Sequence, residues 1–207
     1  GDAQDFGDLL TDTLEAGAVS SSTRGVKFGG RTTGGAYKDN LEAYTFASTG
    51  SIADIEDLRT ATVFSSGASN ETRGLIMGGI ISSSYGGSYS GGWNNIDYIT
   101  IASFGESIEF GDLSFDHVGG MNQASSPTRV INISSGGNGV KFGDLFSGKY
   151  AMAAVSSPTR VVWAGGSGYV DTIQYVNITT EGDAVDFGNL TGGRGFQSGC
   201  SNAHGGL

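Results

Sequence analysis

The chain has one cysteine, Cys200, in 207 residues, so no internal disulfide can form and the fold must be held by packing alone. Proline occurs only twice. Positive charge is scarce: 11 Lys and Arg stand against 21 Asp and Glu, a formal net charge of -10. A binder of nucleic-acid backbone needs a basic face, and no such face can be assembled here. An anionic bilayer surface is excluded as a partner for the same reason. No run is long and apolar enough to span a bilayer. No secretory leader pattern is visible, and the opening GDAQDFGDLL already reads as the end of a repeat, so the chain is expected to be a piece of something longer. What is abundant is glycine, 37 residues of it, set between short apolar runs. Low-complexity disorder would share the glycine but lack the runs, so glycine here reads as turn and close-packing chemistry between strands.

Those runs repeat. A closing motif, FGDL, stands at Phe6–Leu9, Phe110–Leu113 and Phe142–Leu145, with the variants IEDL at Ile55–Leu58 and FGNL at Phe187–Leu190. An opening motif, a small-residue run ending in Thr-Arg, stands at Ser20–Arg24, Ser69–Arg73, Ser125–Arg129 and Ser156–Arg160, with a worn copy at Cys200–His204. Between them lie a Gly-Gly turn, a loop, and a strand-like run: NLEAYTFAST from Asn40, NNIDYITIAS from Asn94, DTIQYVNITT from Asp171. In the last unit, Arg160–Ala164, Ile173–Ile178 and Ala184–Leu190 carry the Val, Ile, Tyr, Phe and Thr of half-buried strands.

Four short strands per unit and a period near fifty residues predict an all-β, single-domain β-propeller of kelch-like repeats over residues 1–207, with about five blades, some degenerate. The units end near residues 9, 58, 113, 145 and 190. The unit from Ser125 to Leu145 is short and has lost or fused a strand. The orphan closing motif at the start and the incomplete unit at the end predict closure by N- and C-terminal strands, with Asp5–Leu9 pairing into the last unit. An open stack of sheets is the alternative.

SSSTRGVKFGG (Ser20–Gly30) and NNIDYITIAS with its following FGDL (Asn94–Leu113) resemble a kelch-like repeat of structural proteins in marine tailed bacteriophages, cyanophages among them. The resemblance covers nearly the whole chain. It implies a virion or tail-fibre component, on the particle surface and in many copies, with no enzyme activity. Its partners would be host-surface glycan or other virion proteins. A purely architectural virion protein and a polysaccharide-degrading propeller enzyme are the alternatives.

Two sets of residues are candidates for function. Arg24, Arg73, Arg129 and Arg160 recur with Asp8, Asp57, Asp112 and Asp144, while Asn189 breaks the acidic series. A charge ring around a channel is one reading. The structural reading is favoured, each Arg forking onto a carboxylate or turn carbonyls to pin one unit to the next, because packing needs the same pair in every unit and a site does not. The second set lies in the loops between the second and third strands of each unit, at 31–39, 80–95 and 167–171, whose lengths differ while the flanking strands are kept. They offer Tyr37, Tyr85, Tyr89, Trp93 and Tyr169 among Ser, Gly and Asn, the composition either of adaptable recognition loops or of ordinary Gly/Ser loops whose aromatics fold back onto the blades. No motif calls for a cofactor or a metal: His117 and His204 have no ligand spacing, and CxxC, HExxH, GxSxG and the phosphate-loop lysine are missing. Asp54, Glu56 and Asp57 read as a solvated strand end, and Cys200 as a small packed residue. The sequons at Asn70, Asn132 and Asn177 bear on glycosylation only in a secretory setting.

Overall fold

A computed structural model describes residues 2, 4–50, 52–81, 92–103, 105–117, 136–140, 142–145, 152–180 and 182–199. Twelve strands form three four-stranded antiparallel sheets, each laid down in chain order. The first holds β1 (Gly17–Ser20), β2 (Arg24–Phe28), β3 (Asn40–Thr45) and β4 (Ala53–Asp57). The second holds β5 (Ser66–Ser69), β6 (Arg73–Met77), β7 (Trp93–Thr100) and β8 (Ile108–His117). The third holds β9 (Ala153–Ser156), β10 (Arg160–Ala164), β11 (Thr172–Asn177) and β12 (Val185–Asn189).

Each sequence motif has a backbone task. The opening motif is a tight hairpin between the first two strands of a sheet. The N–H of Ser21, Asn70 and Ser157 donates to the carbonyl of Arg24, Arg73 and Arg160, at 2.9, 2.9 and 2.8 Å. The side-chain oxygen of the same residue accepts from the two N–H groups that the turn leaves over. Asn70 Oδ1 takes those of Thr72 and Arg73 at 2.9 and 2.8 Å, and Ser21 and Ser157 do the same with their hydroxyls. The threonine carbonyl then accepts the N–H that follows the third strand: Phe46 to Thr23, Ile101 to Thr72, Ile178 to Thr159. The Gly-Gly pair ends the second strand in a left-handed turn, with φ of +60° and +96° at Gly29 and Gly30 and +69° and +128° at Gly165 and Gly166. A Cβ on Gly29 would stand 2.6 Å from the Thr62 carbonyl oxygen, so the linker to the next sheet could not lie where it does.

The closing motif is a β-bulge. Leu41 pairs with Glu56 and Glu42 with Asp54, which leaves Ile55 as the extra residue, and Phe110 and Phe187 are skipped in the same way opposite Ile96/Asp97 and Ile173/Gln174. The two bulged rings lie edge-on against the tyrosine of the neighbouring strand: Tyr98–Phe110 at 6.1 Å and Tyr175–Phe187 at 5.6 Å. The motif also ties each unit to the next. The carbonyls of Phe6, Asp57, Phe110 and Phe142 accept from the N–H of Gly50, Ser107, Gly137 and Gly182, at 3.1, 3.2, 3.0 and 3.1 Å.

The two inner strands of the second sheet, β6 and β7, are buried on both faces. Ile76, Ile99 and Ile101 join Val19, Val26, Phe28, Leu41, Ala43 and Leu58 of the first unit in one core, where β1 lies against β5 and β6. On the opposite face Leu75, Met77, Ile96 and Phe110 form a second core with Ala68, Tyr98 and Leu113. Successive residues of β6 thus point into two cores, which is why RGLIM shows no polar alternation. The third sheet leaves one face more open: Phe187 is 54% exposed, where its counterpart Phe110 in the second sheet is 7% exposed.

The strands expected from sequence in the last unit are found as β10, β11 and β12. The expected terminal closure is not seen among the described residues. Residues 5–9 form no strand, and the Phe6 carbonyl is taken by Gly50 of the first unit. Residues 192–199 fold against the third sheet, where the Arg194 N–H donates to the Val170 carbonyl and its carbonyl accepts from Gly166. Their path repeats the linker before β5: Phe196 and Phe64 share a φ of +57°, and Gly199 meets Ala154 and Val155 where Gly67 meets Ala18 and Val19. The worn opening motif at 200–204 and most of the short unit before residue 145 lie outside the described residues.

Candidate functional site

The loops expected to carry recognition residues do leave equivalent positions of the three sheets, between β2 and β3, β6 and β7, and β10 and β11. Their aromatics play different parts. Tyr169 is 70% exposed, at φ +55° in a turn closed by its N–H to the Gly166 carbonyl at 3.1 Å. Tyr37 is half-buried, its hydroxyl buried without a hydrogen-bond partner. Trp93 is half-buried at the start of β7, in register with His117. Tyr85 and Tyr89 lie outside the described residues. The first loop is held rather than loose: the Arg31 guanidinium donates to both Glu15 oxygens, at 2.5 and 2.7 Å, and so clamps it to the linker before β1.

The repeated arginines fall at the start of each second strand and meet different groups. Arg24 Nη1 donates to the Ile101 and Ala102 carbonyls of the second unit, at 2.8 and 3.3 Å. Arg73 lies over the Tyr98 ring at 4.7 Å, and Arg160 over Tyr175 at 4.5 Å. The difference follows the third strand, which presents Ala43 in the first sheet where the others present Tyr98 and Tyr175. Arg129 lies outside the described residues. Asp57, Asp112 and Asp144 serve through their backbone, their carbonyls accepting from Ser107, Gly139 and Ala184 of the following turn. Asp8 is exposed in the segment before the first linker. Partial burial, then the charges of Asp39, Asp54 and Glu106, hold the Asp57 carboxyl above its ordinary value.

Sequence reasoning missed a polar position buried in the third strand of every sheet: Glu42, Asp97 and Gln174, each opposite the second strand at Lys27, Ile76 and Trp163. Asp97 is served from the linker and from its own sheet. Arg59 Nε stands 3.3 Å from its Oδ1, Asn95 Nδ2 donates to that oxygen at 2.6 Å, and the Ser107 hydroxyl donates to Oδ2 at 3.3 Å. Burial nevertheless raises its carboxyl above the ordinary value, and Arg59 and the two hydrogen bonds pull back against that. Glu42, fully buried, takes its cation from the strand beside it: Lys27 Nζ lies 3.1 Å from Oε1. The Thr11 hydroxyl and Asn40 Nδ2 donate to the same oxygen, while Oε2 has no partner. Where Trp163 replaces the lysine, the acid is an amide, Gln174. The visible signal was the shared NLE, NID and TIQ at the start of the third strand.

A cleft of ≈ 230 Å³ lies where β1 meets β5, lined by Ala18, Ser20, Tyr44, Phe46, Gly67 and Ser69 among others. Small residues form its floor. Tyr44 and Phe46, with ring centroids 5.6 Å apart, form a wall that Phe6 extends. No protein-family model matches this chain, and no curated protein matches its sequence.

Proposed function

We propose that the chain is a non-enzymatic structural and receptor-binding module of a phage particle, a tail fibre or surface component, that presents loops to host-surface glycan or to neighbouring virion proteins. The proposed finer architecture is that of kelch-like propeller blades, with β1, β5 and β9 nearest a common axis. The observation that carries the reading is the equivalence of the loops: three sheets with the same hairpins, bulges and Gly-Gly turns emit three loops of unlike length from the same position. Constant scaffold with variable loops is the arrangement in which recognition is changed without disturbing the fold. The exposed Tyr169 gives an aromatic face for a sugar ring, and many copies on one particle would multiply weak contacts into avidity. The purely architectural reading has its own support in the open face of the third sheet, where Val185 and Phe187 stand half-exposed.

A glycan array probed with the chain in multivalent display tests the proposal. Hits lost on Tyr169→Ala and on replacement of residues 82–91 by a short Gly-Ser loop, with the melting temperature unchanged, would support it. No hits, beside stable co-assembly with other particle proteins, would favour the architectural role.

A further inference from the structure

The Lys27–Glu42–Asn40 cluster has the composition and geometry of a self-modifying site. Lys27 and Glu42 face each other across β2 and β3, and Asn40 stands two residues before Glu42 on the same side of β3. The Lys27 ammonium and the Asn40 carboxamide nitrogen both contact one oxygen, Glu42 Oε1. The amine and the carboxamide thus meet at one carboxylate oxygen, on neighbouring strands paired in register. The lysine and glutamate side chains are 8% and 0% exposed, so little water competes. Two acceptors in this cluster are buried and unpartnered, Glu42 Oε2 and Asn40 Oδ1. An orphaned pair of that kind in a native core calls for an explanation.

We propose that Lys27 and Asn40 join through an intramolecular amide bond, formed with Glu42 as the proton carrier. One proton passes from the ammonium along the Nζ–Oε1 hydrogen bond, which discharges both buried groups and leaves a neutral amine. The Nζ lone pair forms a bond to Asn40 Cγ, and the carbonyl π electrons move onto Oδ1. Glu42 hands its proton to Nδ2, the carbonyl reforms, and the Cγ–Nδ2 bond breaks. Nζ then gives its second proton to Glu42, which passes it to the departing ammonia, so ammonium leaves and the carboxylate is restored. No oxidant or co-reactant is needed, and the chain loses one NH3.

The other sheets supply an internal contrast. The second sheet keeps the amide and the acid, as Asn95 and Asp97, but Ile76 stands in the lysine's place, and its cation is Arg59, whose guanidinium stays protonated and does not attack. The third has Trp163, Gln174 and Thr172. Among the described sheets only the first carries nucleophile, acid and carboxamide together. It is also the sheet that receives the N-terminal segment, so the bond would pin β2 to β3 where Thr11 reaches in.

Mass spectrometry of the purified full chain tests this. The expected result is an intact mass below the sequence mass by one ammonia, about 17 Da, and a protease-resistant branched peptide joining Lys27 to Asn40. Lys27→Met and Asn40→Ala should each restore full mass for their sequence, and so should Glu42→Gln, which keeps both reacting groups. Wild-type chain at full sequence mass after prolonged incubation in the folded state, with no branched peptide, would overturn the proposal. The branched peptide is sought in the wild-type chain, so its presence or absence decides the matter even if a variant fails to fold.

Discussion

Val26 and Val162 are a matched pair, and truncating each to alanine measures what one sheet contributes to the next. Both are the third residue of a second strand, paired with the first strand at Val19 and Val155 and with the third strand at Ala43 and Tyr175. They differ in what lies above them. Val26 is fully buried under the second sheet, whereas Val162 is half-buried on the open face of the third. Removing two methyl groups from the covered site should cost about 1.6 kcal/mol in transfer free energy, at roughly 0.8 kcal/mol per buried carbon. The neighbours Phe28, Leu41 and Ile76 are locked into the same core and cannot fill the space, which adds about 1 kcal/mol for the residual cavity. Val26→Ala should therefore lower unfolding free energy by about 2.5 kcal/mol, a sizeable share of a domain's total stability of roughly 5–15 kcal/mol. Val162→Ala should cost about 1 kcal/mol or less, since part of that surface is already wet and no second sheet closes over the space. Urea unfolding followed by tryptophan fluorescence gives both values, provided the m-value is unchanged. Equal losses would mean that the third sheet's face is covered as fully as the first's, and the reasoning from sheet stacking would fail.

Other expectations follow from single features. Gly165→Ala should cost about 1–3 kcal/mol, because the added Cβ would stand 2.5 Å from the Arg194 carbonyl oxygen at a φ of +69°, and thermal unfolding would show it. Asn70→Ala should lose about 1 kcal/mol by stripping the hairpin N–H groups of Thr72 and Arg73 of their acceptor, and Asn70→Asp should keep most of it. The pH dependence of Asp97 has a definite sign. Its folded carboxyl is raised, so the stability it contributes is complete below the unfolded value and is lost as pH rises through the folded one. The melting temperature of Asp97→Asn relative to wild type should thus be highest near neutral pH and fall as pH drops toward about 4, and a constant difference would contradict the burial argument. Glu71 works in the opposite sense. The Ser22 N–H and hydroxyl hold its carboxyl below the ordinary range, so its tie between the first two hairpins is present near neutrality and is lost as pH falls through that lowered value. Glu71→Gln should blunt that acid-side loss.

The parts of the fold carried by local chemistry were legible in the sequence. Ser21, Asn70 and Ser157 announce hairpins because their side chains complete the turn's hydrogen bonds, and Gly-Gly pairs announce a backbone that no side chain tolerates. The β-branched and aromatic run Ile173–Ile178 placed β11, Thr172–Asn177, within one residue at either end. Contacts between sheets were less legible. The Phe of the closing motif looks like a core residue, yet at Phe187 it is the extra residue of a bulge and stands half in solvent. Glu42 and Asp97 sit in strands where no motif marks them, and only the folded chain makes both interior. Arg73 and Arg160 lie over rings where a carboxylate or turn carbonyls were expected, because Tyr98 and Tyr175 occupy the adjacent strand. Terminal closure rests on counting motifs; the start of the chain lies against the first unit through Phe6 and Gly50, and the end that would pair with it is outside the described residues.

The three sheets are built alike, but β6 and β7 of the second are buried on both faces while the third has a more open face. Native-state amide hydrogen exchange tests it most directly, by comparing Gly74–Met77 of β6 with Val161–Ala164 of β10. Strand β6 is expected to exchange only through global unfolding, while β10 opens locally at a clearly lower free energy. Protection in β10 equal to or above that in β6 would contradict it.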